Sequence, residues 1–285
     1  LFDFGVITDE ISNDLKHALA VCREYDVRQA ELRVVGDANL VDLAPEAVRE
    51  AKDVIDGEGF AVPCLATPLF KCDLPGTHTG ETGPMHAARA RTMDDQMELL
   101  KRCCDLAHLF GAPIIRVFAF WRTEATPEAL ARMAEAFQEP LAYAAQEKLI
   151  LGLENEHSCI LGTGRETADF VASVNHPNLK IVWDPGNAFI VEETPYPDGY
   201  VAVKPHLCHV HIKDVRRRRD GSAQFAVVGE GEVDYAGQFR ALIDDGYAGV
   251  MSLETHYRPP SGSAELGSRL CLDGMRKILA EVGAA

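Results

Sequence analysis

The chain has 285 residues, 47% hydrophobic and 25% charged, the composition of an ordinary globular protein and not that of a disordered class. Its 28 basic against 44 acidic side chains give a formal charge of −16, which argues against a general affinity for nucleic acid or anionic lipid and favours a neutral or metal-neutralised substrate. The eight cysteines form no C-x-x-C pair, and Cys103 and Cys104 sit together in a helical pattern, so reduced, mostly buried thiols are expected instead of a disulfide framework or a zinc ribbon.

In chain order, β-rich runs alternate with helical patterns. "FGVIT" (4–8) is followed by the helical "DLKHALAVCREY", "QAELRVV" (29–35) by "APEAVREAKDVIDGEG", and "FAVPCLAT" (60–67), after a longer insertion, by "MDDQMELLKRCCDLAHLFG". Apolar residues recur at three- and four-residue spacing in these segments, and two of them stop at glycine. "PIIRVFAF" (113–120), "LILGLENE" (149–156), "LKIVWD" (179–184), "LCHVHIKD" (207–214) and "GVMSLET" (249–255) bring the strand candidates to eight.

Strand and helix repeated eight times with right-handed crossovers close into a parallel (β/α)8 TIM barrel, at about 250 residues a single unit, so residues 1–285 are expected to form one domain. A doubly wound open sheet is the competing architecture. The stretch between the sixth and seventh strands, with three prolines and a weak helix, is the least regular. Two insertions, 68–84 after strand three and 215–234 after strand seven, follow carboxyl ends of strands, where barrel enzymes place their chemistry, and read as pocket walls or lids. No apolar run approaches the roughly 20 residues that span a bilayer, and no basic-then-apolar leader opens the chain, so a cytoplasmic location is expected.

Alternation along the last four strands sorts their side chains. Leu151, Leu153, Ile181, Trp183, Val210, Ile212, Met251 and Leu253 fall on the face that meets the helices. Glu154, Asp184, His209, His211, Lys213 and Glu254 fall on the other. Four consecutive strands thus bring Glu154, Asp184, His211 and Glu254 to the axis at, or one step from, their carboxyl ends. Three carboxylates so close repel one another, and one divalent cation relieves this; an oxygen-rich set with one histidine suits Mn²⁺, Mg²⁺, Co²⁺ or Zn²⁺. His209 lies one inward step deeper, about 6.6 Å down the strand, where packing or a supporting hydrogen bond is expected.

These residues resemble those of the xylose-isomerase-like barrels of the sugar phosphate isomerase/epimerase group, which includes ketose 3-epimerases, hydroxypyruvate isomerase, inosose dehydratase and, more distantly, endonuclease IV. The resemblance runs from "AELR" through "LENE", "WDPGN", "HVHIKD" and "SLET". It implies that Glu154, Asp184, His211 and Glu254 hold the metal, with His211 and not His209 as the imidazole ligand. It also implies that Glu154 and Glu254 move the proton, one on each face of the sugar, through an enediolate. The resemblance further places a substrate contact at Arg217, inside "RRRR" (216–219), and puts Asn187 where the epimerases carry a histidine, which alters the substrate contacts. Lys213 is counted with these contacts. Glu156 either bonds a substrate hydroxyl or pairs with Arg116 or Lys213. Glu31 and Arg33 are expected to pair with each other at the barrel floor. Lys71 and Trp121 either line the pocket or lie against a loop or solvent, and His157 and His256 are expected behind the ligands or at the surface.

"GTGRE" (162–166) and "RPPSGSAELG" are weak candidates for binding an anion at a helix amino end, and neither offers a convincing glycine cradle, so a phosphorylated substrate is not favoured. The expected activity is a divalent-metal-dependent sugar isomerase or epimerase of carbohydrate metabolism, acting on a ketose, sugar phosphate or cyclitol. A keto-cyclitol (inosose-type) dehydratase begins with the same proton abstraction and is the alternative; a non-catalytic sugar-binding barrel is a further one. Three-metal phosphodiester hydrolysis fits poorly, because strands two and three offer no histidine. A homo-oligomer would be in keeping with barrels of this group.

Overall fold

The computed structural model describes residues 2–80 and 85–283. Eight strands form its main sheet: β1 (Asp3–Ile7), β2 (Gln29–Glu31), β3 (Cys64–Leu69), β4 (Ile114–Val117), β5 (Ile150–Glu154), β6 (Leu179–Trp183), β7 (Leu207–Ile212) and β8 (Val250–Leu253). Their spatial order is β2-β1-β8-β7-β6-β5-β4-β3, and every neighbouring pair is parallel. Parallel bridges Gln29↔Ala61 and Leu32↔Leu65 join the two ends, so the sheet closes into a (β/α)8 barrel and the open-sheet alternative falls.

The second strand is shorter than the alternation predicts. After Leu32 the chain leaves the barrel, and Val34–Val35 pairs antiparallel with Ala38–Asn39. The third begins at Cys64 instead of residue 60, directly after Pro63, which has no N–H to give a ladder.

Local chemistry explains the helices. In α1 (Leu15–Glu24) the Asp14 side chain caps the first turn, and α2 (Pro45–Gly57) starts on proline, whose missing N–H costs nothing there. Helix α3 (Gln96–Phe110) ends at Gly111, whose φ of +72° supplies the left-handed turn. Helices α4 (Pro127–Ala136) and α5 (Gln138–Gln146) precede β5, and α6 (Gly164–Val174) precedes β6. The irregular interval after β6 holds only α7 (Pro185–Ile190), α8 (Tyr200–Val203) and short turns. Helices α9 (Tyr235–Asp244) and α10 (Ala264–Glu281) complete the ring.

The apolar faces of β5 to β8 meet the helices as the alternation requires: Leu151, Leu153, Ile181, Trp183, Val210, Ile212, Met251 and Leu253 are all buried in one core. Gly152 faces inward where a Cβ would come within 2.7 Å of the Val182 side chain, so the interior at that level has no room for more. All eight cysteines are free and seven are buried. No helix among the described residues is long and apolar enough to cross a membrane.

Candidate metal centre

At the carboxyl ends of β5 to β8, one ligand atom from each of Glu154, Asp184, His211 and Glu254 lies within 4.8 Å of the others, and all four residues are buried. His211 Nδ1 is 3.0 Å from Glu154 Oε1 and 3.9 Å from Glu254 Oε2. Its other nitrogen, Nε2, is 3.0 Å from Glu31 Oε1. Burial alone would depress this imidazole, but Glu31 and Glu154 outweigh it and push the pKa up to about 10.

Asp184 caps α7, accepting the Asn187 N–H on Oδ1 at 2.8 Å. Lys213 reaches into the cluster, with Nζ 2.8 Å from Glu254 Oε2 and 2.9 Å from Asp184 Oδ2. Gly186 lets it pass, because a Cβ there would sit 2.5 Å from the Lys213 carbonyl and 2.7 Å from its Cγ.

The donor set fits a divalent cation on two grounds. Asp184 Oδ2 and Glu154 Oε2 are buried without a hydrogen bond; the ammonium of Lys213 and the Arg116 Nη1, 3.2 Å from Glu154 Oε2, are close enough for ion pairing but not aligned as donors. Burial together with the Glu154 and Glu254 charges also outweighs Lys213 and raises the Asp184 carboxyl to about 6. Crowding of like charges of this kind is what a bound cation would relieve.

Glu31 and Arg33 do not pair. Glu31 bonds His211 and also His209, whose Nε2 is 2.9 Å away and 3.1 Å from Ser252 Oγ. Burial would raise the Glu31 carboxyl, yet the two imidazoles hold it well below the carboxylate range. Arg33 instead binds Asp9 at 2.9 Å, Glu10 at 2.6 Å and Glu254 at 2.7 Å. Both side chains lie where alternation puts them; the partners come from β7 for Glu31 and, for Arg33, from the turn after β1 and the end of β8. Glu10, Glu254 and His256 form a further group of potential ligands, but its charge is already met by Arg33 and by Arg258, 3.2 Å from Glu10.

Glu156 pairs with neither Arg116 nor Lys213. Its Oε1 is 2.9 Å from His157 Nδ1 and accepts the Ser158 hydroxyl at 3.0 Å, and its Oε2 is 3.4 Å from Asn187 Nδ2. Asn187 also meets His157 Nδ1 through its own oxygen at 2.9 Å, so Glu156, Asn187 and His157 form one patch beside the four-residue cluster. Arg217 does not join them. Its guanidinium donates to the Phe189 and Ile190 carbonyls at 2.7 and 3.1 Å, at the end of α7.

The insertion after β7 is a hairpin of Asp214–Arg217 and Ala223–Ala226, continued by a loop. Asp214 organises it, accepting backbone N–H groups of Val215, Gly229, Gly231 and Val233 at 2.8 to 3.3 Å. Gly231 makes room for that carboxylate, since a Cβ would come within 2.0 Å of it. The hairpin carries Phe225, whose ring stacks on His256 at 4.9 Å. His256 takes a left-handed φ of +46°, unusual for a residue with a side chain, and its Nε2 is 3.1 Å from Glu254 Oε1. His86, from the loop after β3, meets the same ring edge-on at 6.1 Å. A ring from the second insertion and one from the loop just past the first therefore flank His256 beside Glu254; residues 81–84 of the first insertion lie outside the described residues. His157 and His256 both touch carboxylates of the site.

The amino end of α6 is not open to an external anion. Glu193 accepts the Gly164 and Arg165 N–H groups at 2.6 and 3.0 Å, and Glu166 those of Gly162 and Thr163 at 3.0 Å. A cavity of about 440 Å³ lies elsewhere, near the amino ends of β1 and β2 between Phe2, Phe4, Tyr25, Leu272 and Met275. Size alone does not mark the chemistry, because the polar cluster is roofed over.

Comparison with known proteins agrees with this architecture. The model of the family described as xylose isomerase-like TIM barrel matches residues 19–277. The chain is 29% identical over 144 residues to an inosose dehydratase of Klebsiella pneumoniae, covering 45% of this chain and 48% of the relative. It is 27% identical over 183 residues to an L-ribulose 3-epimerase of Methylomonas sp. strain DH-1, covering 61% and 60%. The match thus spans about half the length of the first relative. The crystal structure of a D-allulose 3-epimerase from Methylomonas sp. in complex with D-allulose shares the fold, with a TM-score of 0.72 at 19% identity over 98% of this chain and 96% of that one.

Proposed function

The chain belongs to the xylose isomerase-like TIM barrel family, and from that premise we propose that it is a divalent-metal-dependent isomerase or epimerase of a polyhydroxy carbonyl compound. The observation that carries this reading is the convergence of Glu154, Asp184, His211 and Glu254 on one buried point, with carboxylate oxygens left unbonded. In it these four residues hold one Mn²⁺, Zn²⁺, Mg²⁺ or Co²⁺. The bound cation would polarise the substrate carbonyl and acidify the neighbouring C–H.

Glu154 and Glu254 do the proton work. One removes the proton to leave an enediolate, and the other returns it from the opposite face, which inverts the centre. Burial would raise the Glu254 carboxyl, but Lys213, His256 and Arg33 hold it well below the carboxylate range. Arg116 stands beside Glu154. Glu156, Asn187 and Lys213 present polar groups to substrate hydroxyls. Arg217 takes part only by releasing the Phe189 and Ile190 carbonyls.

A second reading, dehydration of a keto-cyclitol, is favoured by the inosose dehydratase relatives and by Lys213. After the same proton removal a neighbouring hydroxyl leaves as water, and the ammonium between Asp184 and Glu254 supplies its proton.

The test is a screen of ketoses, sugar phosphates and inososes in D₂O with added Mn²⁺, read by NMR. Deuterium beside a carbonyl supports proton abstraction, and loss of a hydroxyl selects the dehydratase. No exchange with any compound, together with a sugar-independent rise in Tm on adding metal, would replace both readings with a non-catalytic barrel.

A further inference from the structure

Lys71 follows β3 and is only 5% exposed. Its ammonium lies 4.4 Å from the centroid of the Phe118 ring and 5.7 Å from that of Trp121. No carboxylate, carbonyl or hydroxyl among the described residues accepts a hydrogen bond from it or pairs with it. The other buried cations of the site are all engaged: Arg33 with Asp9, Glu10 and Glu254, Arg116 with Glu154 and the Thr67 carbonyl, and Lys213 with Asp184 and Glu254.

The side chain is largely buried but the ammonium nitrogen keeps some access, so its three N–H donors, unmet by any acceptor among the described residues, are open to a ligand, and aromatic faces meet only part of their need. Glu156 is the nearby carboxylate that feels Lys71; burial would raise its carboxyl, and Lys71 is the charge that does most to hold it down. Yet Glu156 spends its oxygens on His157, Ser158 and Asn187. The Phe118 ring also carries the Arg116 guanidinium, 4.5 Å from its centroid, so one wall of the site is cationic and leads from Glu154 through Arg116 and Phe118 to Lys71. Beyond it lies a cavity of about 190 Å³ lined by Lys71, Trp121, Met85, Met93 and Arg91.

We propose that Lys71 anchors an oxyanion of the substrate, a carboxylate or a phosphate, at the end remote from the Glu154–Asp184–His211–Glu254 cluster. This rests on the isomerase or epimerase reading and narrows its substrate to acidic polyhydroxy carbonyl compounds.

Calorimetry on the Mn²⁺-loaded and the chelator-treated protein tests it, comparing D-gluconate with sorbitol and ribitol 5-phosphate with ribitol. Wild type should bind one acid about tenfold or more tighter than its neutral partner, and which acid wins tells carboxylate from phosphate. Lys71→Gln and Lys71→Met should erase the preference while Lys71→Arg keeps most of it; Tm by circular dichroism identifies the folded variants. Equal binding of acids and neutral polyols by wild type, or a preference that survives in a folded Lys71→Gln or Lys71→Met, overturns the anchor. If the preference depends on Lys71 but no ketose exchanges deuterium, the isomerase reading fails and the anchor stands. If ketoses exchange deuterium while wild type binds the acids and their neutral partners equally, the anchor fails and the isomerase reading stands.

Discussion

Glu31 holds the Nε2 side of His211 at 3.0 Å while Nδ1 of the same ring faces Glu154, also at 3.0 Å. A carboxylate behind an imidazole fixes which nitrogen keeps its proton and raises the basicity of the other. Here the arrangement leaves Nδ1 to the cluster. His209, bonded to Glu31 and Ser252, braces the same carboxylate from below.

Glu31→Gln should therefore weaken Mn²⁺ binding by about 10- to 100-fold without removing a proposed ligand. His211→Ala should lose more, and His209→Ala clearly less than His211→Ala. Titration calorimetry on the purified variants measures this. Wild-type affinity in Glu31→Gln would show that His211 is not oriented through Glu31.

Metal uptake should depend on pH through His211. With its pKa pushed up to about 10 in the metal-free protein, the ring is doubly protonated at neutral pH and must give up about one proton to become a ligand. Affinity should then rise by up to about tenfold per pH unit across the neutral range. Calorimetry in buffers of different ionisation enthalpy counts the proton. The stability consequence has a definite sign: a raised folded-state pKa stabilises fully below the unfolded value and is lost as pH climbs through about 10. The Tm of chelator-treated protein should fall between pH 7 and 10, and that of Mn²⁺-loaded protein should fall less.

The barrel and the inward set were legible because each depends on a local rule. Period-two alternation assigns Leu151 and Leu153 to one face and Glu154 to the other, and the strand end fixes its depth. Partners within the site were not legible. Arg33 and Glu31 share a strand-two segment, yet one turns to Glu10 and Glu254 and the other to His209 and His211, a choice made by where β7 and β8 pass. The role of Asp214 was equally hidden, since its four backbone donors come from residues 215 to 233. A buried aspartate ahead of a glycine-rich "VVGEGEV" segment was the available signal.

Glu154→Gln and Glu254→Gln should each lower solvent deuterium exchange by about 10²- to 10⁴-fold, the usual weight of a positioned acid or base. Each amide keeps a carbonyl oxygen for the metal, so metal content should be measured alongside. Full exchange in either variant at normal metal content would eliminate the two-base mechanism.

Arg33→Met should destabilise the fold by about 3–5 kcal/mol, since it strips a shared buried cation from Asp9, Glu10 and Glu254. In the native protein burial would raise the Glu10 carboxyl, but Arg33 and His256 outweigh it and hold it at about 2. Without Arg33 these acids would take up protons more readily. The deficit seen in urea melts should therefore be larger at pH 8 than at pH 5. A deficit independent of pH would point to lost packing instead of lost charge pairing.

The roof over the cluster should act on rates more than on affinity. Phe225 stacks on His256, which in turn touches Glu254 and meets His86, so an ion or substrate entering on the Glu254 side must part these rings. Phe225 stacks on His256 and is not itself a proposed ligand. Phe225→Ala should speed both entry and exit of Mn²⁺ several-fold while leaving Kd nearly unchanged, because it lowers the barrier without altering the bound site. Stopped-flow transfer of the metal to a chelating dye gives the exit rate, and calorimetry gives Kd. A weakened Kd with an unchanged entry rate would mean instead that Phe225 supports the bound state through His256 and Glu254.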